Sequence, residues 1–139
     1  MNEIFTPEEL KDAKTLKATS LQTTYFESGA NGKFTEKQLP LEVQISPVYT
    51  ITSLDYDQDG KKDLLLCGNV SKSRLRFGKY DANSGVLLKG DGKGKFTYIP
   101  QSKSGFGLKG DVRSVLPVGN KLLFGINQQS VQAYQRNTK

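Results

Sequence analysis

Tyr25-Phe26-Glu27-Ser28-Gly29-Ala30-Asn31-Gly32-Lys33-Phe34-Thr35, closed by Leu39-Pro40, returns 62 residues later as Leu87-Leu88-Lys89-Gly90-Asp91-Gly92-Lys93-Gly94-Lys95-Phe96-Thr97, closed by Ile99-Pro100. Both copies read as strand, turn, strand, because Gly, Asn and Asp supply the positive φ that a tight reversal needs. The likeness continues downstream. Residues 49–54 align with 110–115, and Leu64-Leu65-Leu66-Cys67-Gly68-Asn69 aligns with Lys121-Leu122-Leu123-Phe124-Gly125-Ile126-Asn127. A unit of about 60 residues and about four short strands, repeated along one chain, is what an antiparallel β-propeller blade looks like in sequence. The chain holds about two to two and a half such units, whereas a closed ring needs about four to eight.

Working outward, strands are expected over residues 23–27, 33–38, 48–54, 63–67, 85–89, 95–99, 111–116, 121–126 and 131–134, each short and rich in aliphatic or aromatic residues. Residues 6–17 carry a helix signal: Thr6 as N-cap, Pro7 in the first turn, the capping box Thr6-x-x-Glu9, and Leu10, Ala13, Leu16 and Lys17 on one face. The expected fold class is therefore all-β with one short N-terminal helix, built as antiparallel four-stranded blades of a partial β-propeller. Residues 1–19 form the helical segment and 20–139 the propeller part. Its open sheet edges imply self-association or pairing with further blades, unless the strands of residues 23–38 complete the blade containing 111–134.

Composition narrows the chemistry. The 139 residues include no His and no Trp, which removes imidazole bases, His-ligated zinc and His-based triads. Enzymatic activity is not expected. Lys and Arg number 20 against 14 Asp and Glu, but the net charge of +6 is scattered through turns, without the basic stripe and interleaved aromatics of a nucleic-acid module. Cys67 stands alone in an apolar stretch and reads as a buried structural thiol. No aliphatic run exceeds Leu64-Leu65-Leu66, so no membrane span is expected, and no export signal opens the chain.

One motif carries chemistry. Asp55-Tyr56-Asp57-Gln58-Asp59-Gly60-Lys61-Lys62-Asp63 sets carboxylates at loop positions 1, 3, 5 and 9 with Gly at position 6. Alternate side chains turn inward, the glycine allows the reversal, and the Lys61 carbonyl completes an all-oxygen shell suited to Ca²⁺, with Mg²⁺ a weaker competitor. Four carboxylates in one turn repel each other unless a cation sits among them. An EF-hand would need a bidentate Glu at position 12, which here is Leu66, and a helix where the strand 63–67 follows. The expected metal ligands are Asp55, Asp57, Asp59, Lys61 and Asp63. In the second unit the short turn around Gly119-Asn120 replaces this loop, so one calcium site is expected.

The D-x-D-x-D-G-x-x-D-L hairpin, with the stretch from Arg76 to Phe96 downstream, resembles the FG-GAP/VCBS repeats of integrin-α-like propellers. It is similar to the C-terminal propeller part of secreted bacterial VCBS-repeat proteins, some of which carry an ASPIC/UnbV domain. The resemblance covers roughly residues 20–135 and implies Ca²⁺ in the blade hairpin and an extracellular, cell-surface or periplasmic location. It implies a non-catalytic scaffold for a protein or carbohydrate ligand. A metal-dependent enzyme segment using Asp57 or Asp59 as acid or base, and a basic module for polyanions, are the alternatives. A second cluster, Arg74, Arg76, Lys79, Tyr80 and Asp81, could contact a glycan or an acidic partner from a loop, although internal salt bridging or loop packing fits those residues as well.

Overall fold

The computed structural model describes residues 4–73, 76 and 78–135. Nine strands appear among them: β1 (Thr24–Ser28), β2 (Phe34–Gln38), β3 (Val48–Leu54), β4 (Asp63–Gly68), β5 (Val86–Gly90), β6 (Phe96–Ile99), β7 (Val112–Val118), β8 (Lys121–Ile126) and β9 (Gln132–Gln135). They form antiparallel sheets of two, four and three strands in the orders β1-β2, β3-β4-β5-β6 and β7-β8-β9. Only the middle sheet has the expected four strands. The hairpin of β1 and β2 pairs with itself and does not complete the sheet of β7 to β9.

Two features recur between sheets. The hairpin β1-β2 closes through Gly29 N–H to Lys33 O, and β5-β6 closes through Asp91 N–H to Lys95 O. The β3-β4 register shifts between Val48 and Thr50, and the β7-β8 register shifts between Val112 and Ser114. Each bulge lies near the start of the first strand of its pair, bending it locally.

The helix is shorter than expected. Helix α1 spans only Pro7–Leu10, although the capping box forms, with Thr6 N–H donating to Glu9 Oε2 at 2.8 Å and Glu9 N–H to Thr6 Oγ1 at 3.4 Å. A cap starts a helix, but a few turns persist in water only when an apolar face is packed. Leu16 is 82% exposed, so nothing holds the later turns. A second four-residue helix, α2 (Gln101–Ser104), follows Pro100.

Packing explains why the run Leu64-Leu65-Leu66-Cys67 is continuously apolar. Side chains alternate across a strand, and here both faces of β4 are covered. Leu65 and Cys67, with Leu87 of β5, meet Phe106, Leu108, Val112, Phe124 and Ile126. Leu66, with Val86 and Leu88 of β5, meets Val43 on the opposite side. The four-stranded sheet is thus a middle layer. One face packs on the three-stranded sheet, where Phe106, Phe124 and Tyr134 pack ring to ring. The other packs on the segment after β2, with Tyr25 edge-on to Phe96 at 5.6 Å. Burial pushes the Cys67 thiol up to about 12, as an inert structural cysteine should be.

A polar knot ties the middle sheet to the third. Asn69 is 1% exposed, accepts from Ser46 Oγ and Asn83 N–H, and donates to the carbonyls of Asn83 and Gly110. Arg113 donates to Asn69 O at 2.9 Å, pairs with the buried Asp111, and lies 3.9 Å over the Tyr49 ring. Asp111 also accepts from Ser71 N–H. The buried Asn69 amide and Asp111 carboxylate thus keep hydrogen-bond partners away from water.

Candidate metal centre

The loop between β3 and β4 is held by its first residue, Asp55, and by Asp63, the first residue of β4. Asp63 opens β4 with 1% exposure, and its two oxygens face opposite ways: Oδ2 accepts from Tyr56 N–H at 2.8 Å and Oδ1 from Gly90 N–H at 2.9 Å. One buried carboxylate therefore ties the loop both to itself and to the end of β5. Gly90 must be glycine here, since a Cβ would run into the Lys62 carbonyl oxygen. Asp55 Oδ2 accepts from Gly60 N–H at 3.0 Å across the turn. Gly60 takes φ +80° and Gln58 takes φ +63°, so two left-handed residues make the sharp reversal that the sequence places at the glycine.

This architecture brings Asp55, Asp57 and Asp63 together. Each offers one carboxylate oxygen, and these oxygens lie within 4.8 Å of one another. Oxygens on a common Ca²⁺ sit about 2.3–2.6 Å from the ion, hence up to about 5 Å apart, so the spacing fits a shared hard cation. The hydrogen bonds to Asp63 leave room for this, because each carboxylate oxygen carries two lone pairs. The donor set, oxygen alone on a partly exposed turn, suits calcium or magnesium rather than a thiophilic metal.

Asp59, expected among the ligands, points to nitrogen. Its Oδ1 accepts from Lys61 N–H at 2.9 Å, and its Oδ2 lies 3.5 Å from Lys61 Nζ and 3.1 Å from Lys89 Nζ. The Lys61 N–H, then the Lys89 ammonium, hold the Asp59 carboxyl below the usual carboxylate range. Lys61 meets the loop through its N–H and ammonium on Asp59.

Lys89 was not foreseen from the sequence. Its ammonium hydrogen-bonds Asp57 Oδ2 and reaches Asp59, and those bonds, the one to Asp57 foremost, raise its proton affinity above that of an ordinary lysine. Strand pairing puts it there: Leu64 lies opposite Leu88, so the next step along each strand sets Lys89 beside Asp63 at the mouth of the loop. The loop also forms one wall of a cleft of about 840 Å³, with Phe106, Asn120, Lys121 and Tyr134 on the facing walls.

The second sequence-predicted cluster is dispersed along an exposed loop. Arg74 lies outside the described residues, while Arg76, Lys79 and Asp81 are exposed. Tyr80 pairs its backbone with Val70 through two hydrogen bonds, and the residue stays 48% exposed. Among the described residues, no helix is long and apolar enough to cross a membrane. Compared with family models, curated proteins and solved structures, the chain matches none.

Proposed function

We propose that the chain is a calcium-stabilised, non-catalytic module of stacked β-propeller blades, of the FG-GAP/VCBS kind that its sequence resembles. It acts outside the cytosol as a scaffold for a protein or carbohydrate ligand. The observation that carries this reading is the convergence of the Asp55, Asp57 and Asp63 carboxylates, from a spacing that calcium hairpins use, within 4.8 Å of one another. Asp63 is the anchor already bolted to β5, and Asp55 and Asp57 close on the ion from the turn. Calcium supplies a charge and an oxygen shell that tie the hairpin, so stability follows free Ca²⁺.

Three features support the blade arrangement: the recurrence of the β1-β2 hairpin in β5-β6, the matching bulges near the starts of β3 and β7, and a middle sheet covered on both faces. Sheets stacked face to face bury alternate residues of the same strand into two different cores, as β4 and β5 do.

The test is thermal unfolding with added Ca²⁺ and with EGTA, on the wild type and on Asp57→Ala, with Mg²⁺ as the control. At a concentration about 100 times the dissociation constant, Ca²⁺ should add about 2.7 kcal/mol, or a rise of several degrees. Asp57→Ala should lose that rise. No shift in either protein would sink the calcium reading. It would favour a second one, in which the Lys89 ammonium on Asp57 and Asp59 closes the loop without metal.

A further inference from the structure

We propose that Lys89 is the resident counter-ion of the acidic loop and is displaced from it when a divalent cation enters. This inference rests on the calcium reading and adds a rule for how the site fills. The decisive observation is that Asp57 is shared: it belongs to the group of carboxylates that can enclose a cation, and it also holds the Lys89 ammonium. A divalent ion drawn in by Asp55, Asp57 and Asp63 lies within a few ångströms of that ammonium, and the two positive charges repel across a short, partly desolvated gap. One of them has to leave.

The backbone around Lys89 makes the exchange local. Strand β5 is an interior strand, with Leu88 paired to Leu64 on one side and Tyr98 on the other, and Gly90 N–H is fixed on Asp63. The strand stays while the side chain moves. With 42% of its side chain exposed and four rotatable carbons in the stem, Lys89 can swing its ammonium into water without disturbing β5. Asp59 then follows one of two courses: it stays on Lys61, which already holds it, or turns to the ion as a further ligand.

Two consequences follow. In metal-poor solution the ammonium neutralises part of the loop's charge, so the hairpin keeps its shape without calcium. At high divalent concentration, exchange of one charge for two favours the metal, but Lys89 lowers the apparent affinity because its contacts must be given up first. The lysine therefore sets the concentration at which the site fills.

The test is a calorimetric titration with Ca²⁺ alone on the chelator-treated wild-type chain, Lys89→Met and Lys62→Met. Lys62 is an exposed lysine of the same loop, so its variant removes equal charge and controls for the general field. Lys89→Met should bind Ca²⁺ about threefold to tenfold tighter, the range expected for releasing an exposed pair of ionic contacts, and Lys62→Met should change affinity less than about twofold. The second readout is the ¹⁵N-resolved signal of the Lys89 ammonium. It should be visible and slowly exchanging in EGTA, and lost to solvent exchange on saturation with Ca²⁺. Wild type and Lys89→Met binding equally well, or a Lys89 signal unchanged at saturation, would overturn the displacement while leaving the calcium site standing. No binding by any of the three would overturn the calcium reading and the displacement with it.

Discussion

The β3-β4 loop and the β7-β8 turn occupy the same place in their two sheets and differ in chemistry. Each joins the first two strands of its sheet, and each first strand carries a bulge near its start. One spans eight residues between Leu54 and Asp63 and gathers carboxylates; the other needs only Gly119 and Asn120 between Val118 and Lys121. The short turn demonstrates that the strand frame does not require the long one. What the eight residues add is charge held at fixed positions, with Asp55 and Asp57 set beside Asp63 of β4 and within reach of Lys89 of β5.

The largest effects should come from the hinge of the long loop, which the short turn lacks. Asp63→Ala leaves the Tyr56 and Gly90 N–H groups without their carboxylate in a site where Asp63 is 1% exposed. Losing two charge-assisted hydrogen bonds at a buried position should cost about 3 kcal/mol in a urea titration. Asp63→Asn, which keeps one acceptor oxygen, should cost less. Gly90→Ala, which drives a methyl into the Lys62 carbonyl, should lower stability by about 1–3 kcal/mol. If these variants were as stable as the wild type, the loop would be a passive excursion like the turn it is compared with.

Transplanting one connection onto the other sharpens the contrast. Replacing residues 55–62 by Gly-Asn should leave the far-ultraviolet spectrum of the sheets intact and abolish any response to Ca²⁺. The expected loss of about 1 kcal/mol reflects the hydrogen bond from Tyr56 N–H to Asp63, while the one from Gly90 survives. A swapped protein that still melts higher in Ca²⁺ would place the metal elsewhere.

How far the sequence announces these features depends on the range of the interaction involved. Strands β3 and β8 fall on the expected residues 48–54 and 121–126, and the others start or end within a few residues of expectation, because strand signals are local runs bounded by turn residues. The grouping of Asp55, Asp57 and Asp63 is legible for the same reason, all three lying at odd positions of one nine-residue motif. The helix signal over 6–17 outruns the helix formed, since its caps are local but Leu16 finds no core to pack against. Lys89 is not legible in the sequence because it reaches the loop through pairing of β4 with β5, a contact that appears in no single stretch. Counting outward from Leu64 opposite Leu88 would have found it, had the register been known. The Asn69, Asp111 and Arg113 knot is hidden likewise, because Asn69 lies more than 40 residues before Asp111 and Arg113.

The smallest effect concerns pH, and only the longer of the two connections should show it. Asp59 has its carboxyl pulled below the ordinary value by Lys61 N–H and then by Lys89, whereas the β7-β8 turn has no carboxylate to titrate. A carboxyl whose folded pKa is depressed contributes stability that is fully present above the unfolded value and is lost as pH falls through the folded one. For Asp59 that window opens near about pH 4 and extends downward. Asp59→Asn in EGTA should therefore leave stability at pH 7 slightly lower and make the decline below about pH 4 shallower, with the two curves converging at the acid end. Asp91, whose carboxyl is lowered by the N–H groups of Lys93 and Lys95, and Glu9, lowered by Thr6, keep part of the acid decline in the variant. Both residues being exposed, the change in midpoint should be small, and 0.5 M salt should shrink the Lys89 share while sparing the part due to Lys61 N–H. An acid limb identical in wild type and Asp59→Asn would mean that Asp59 is as inert as the Gly119-Asn120 turn opposite it, leaving Asp55, Asp57 and Asp63 as the loop's only working carboxylates.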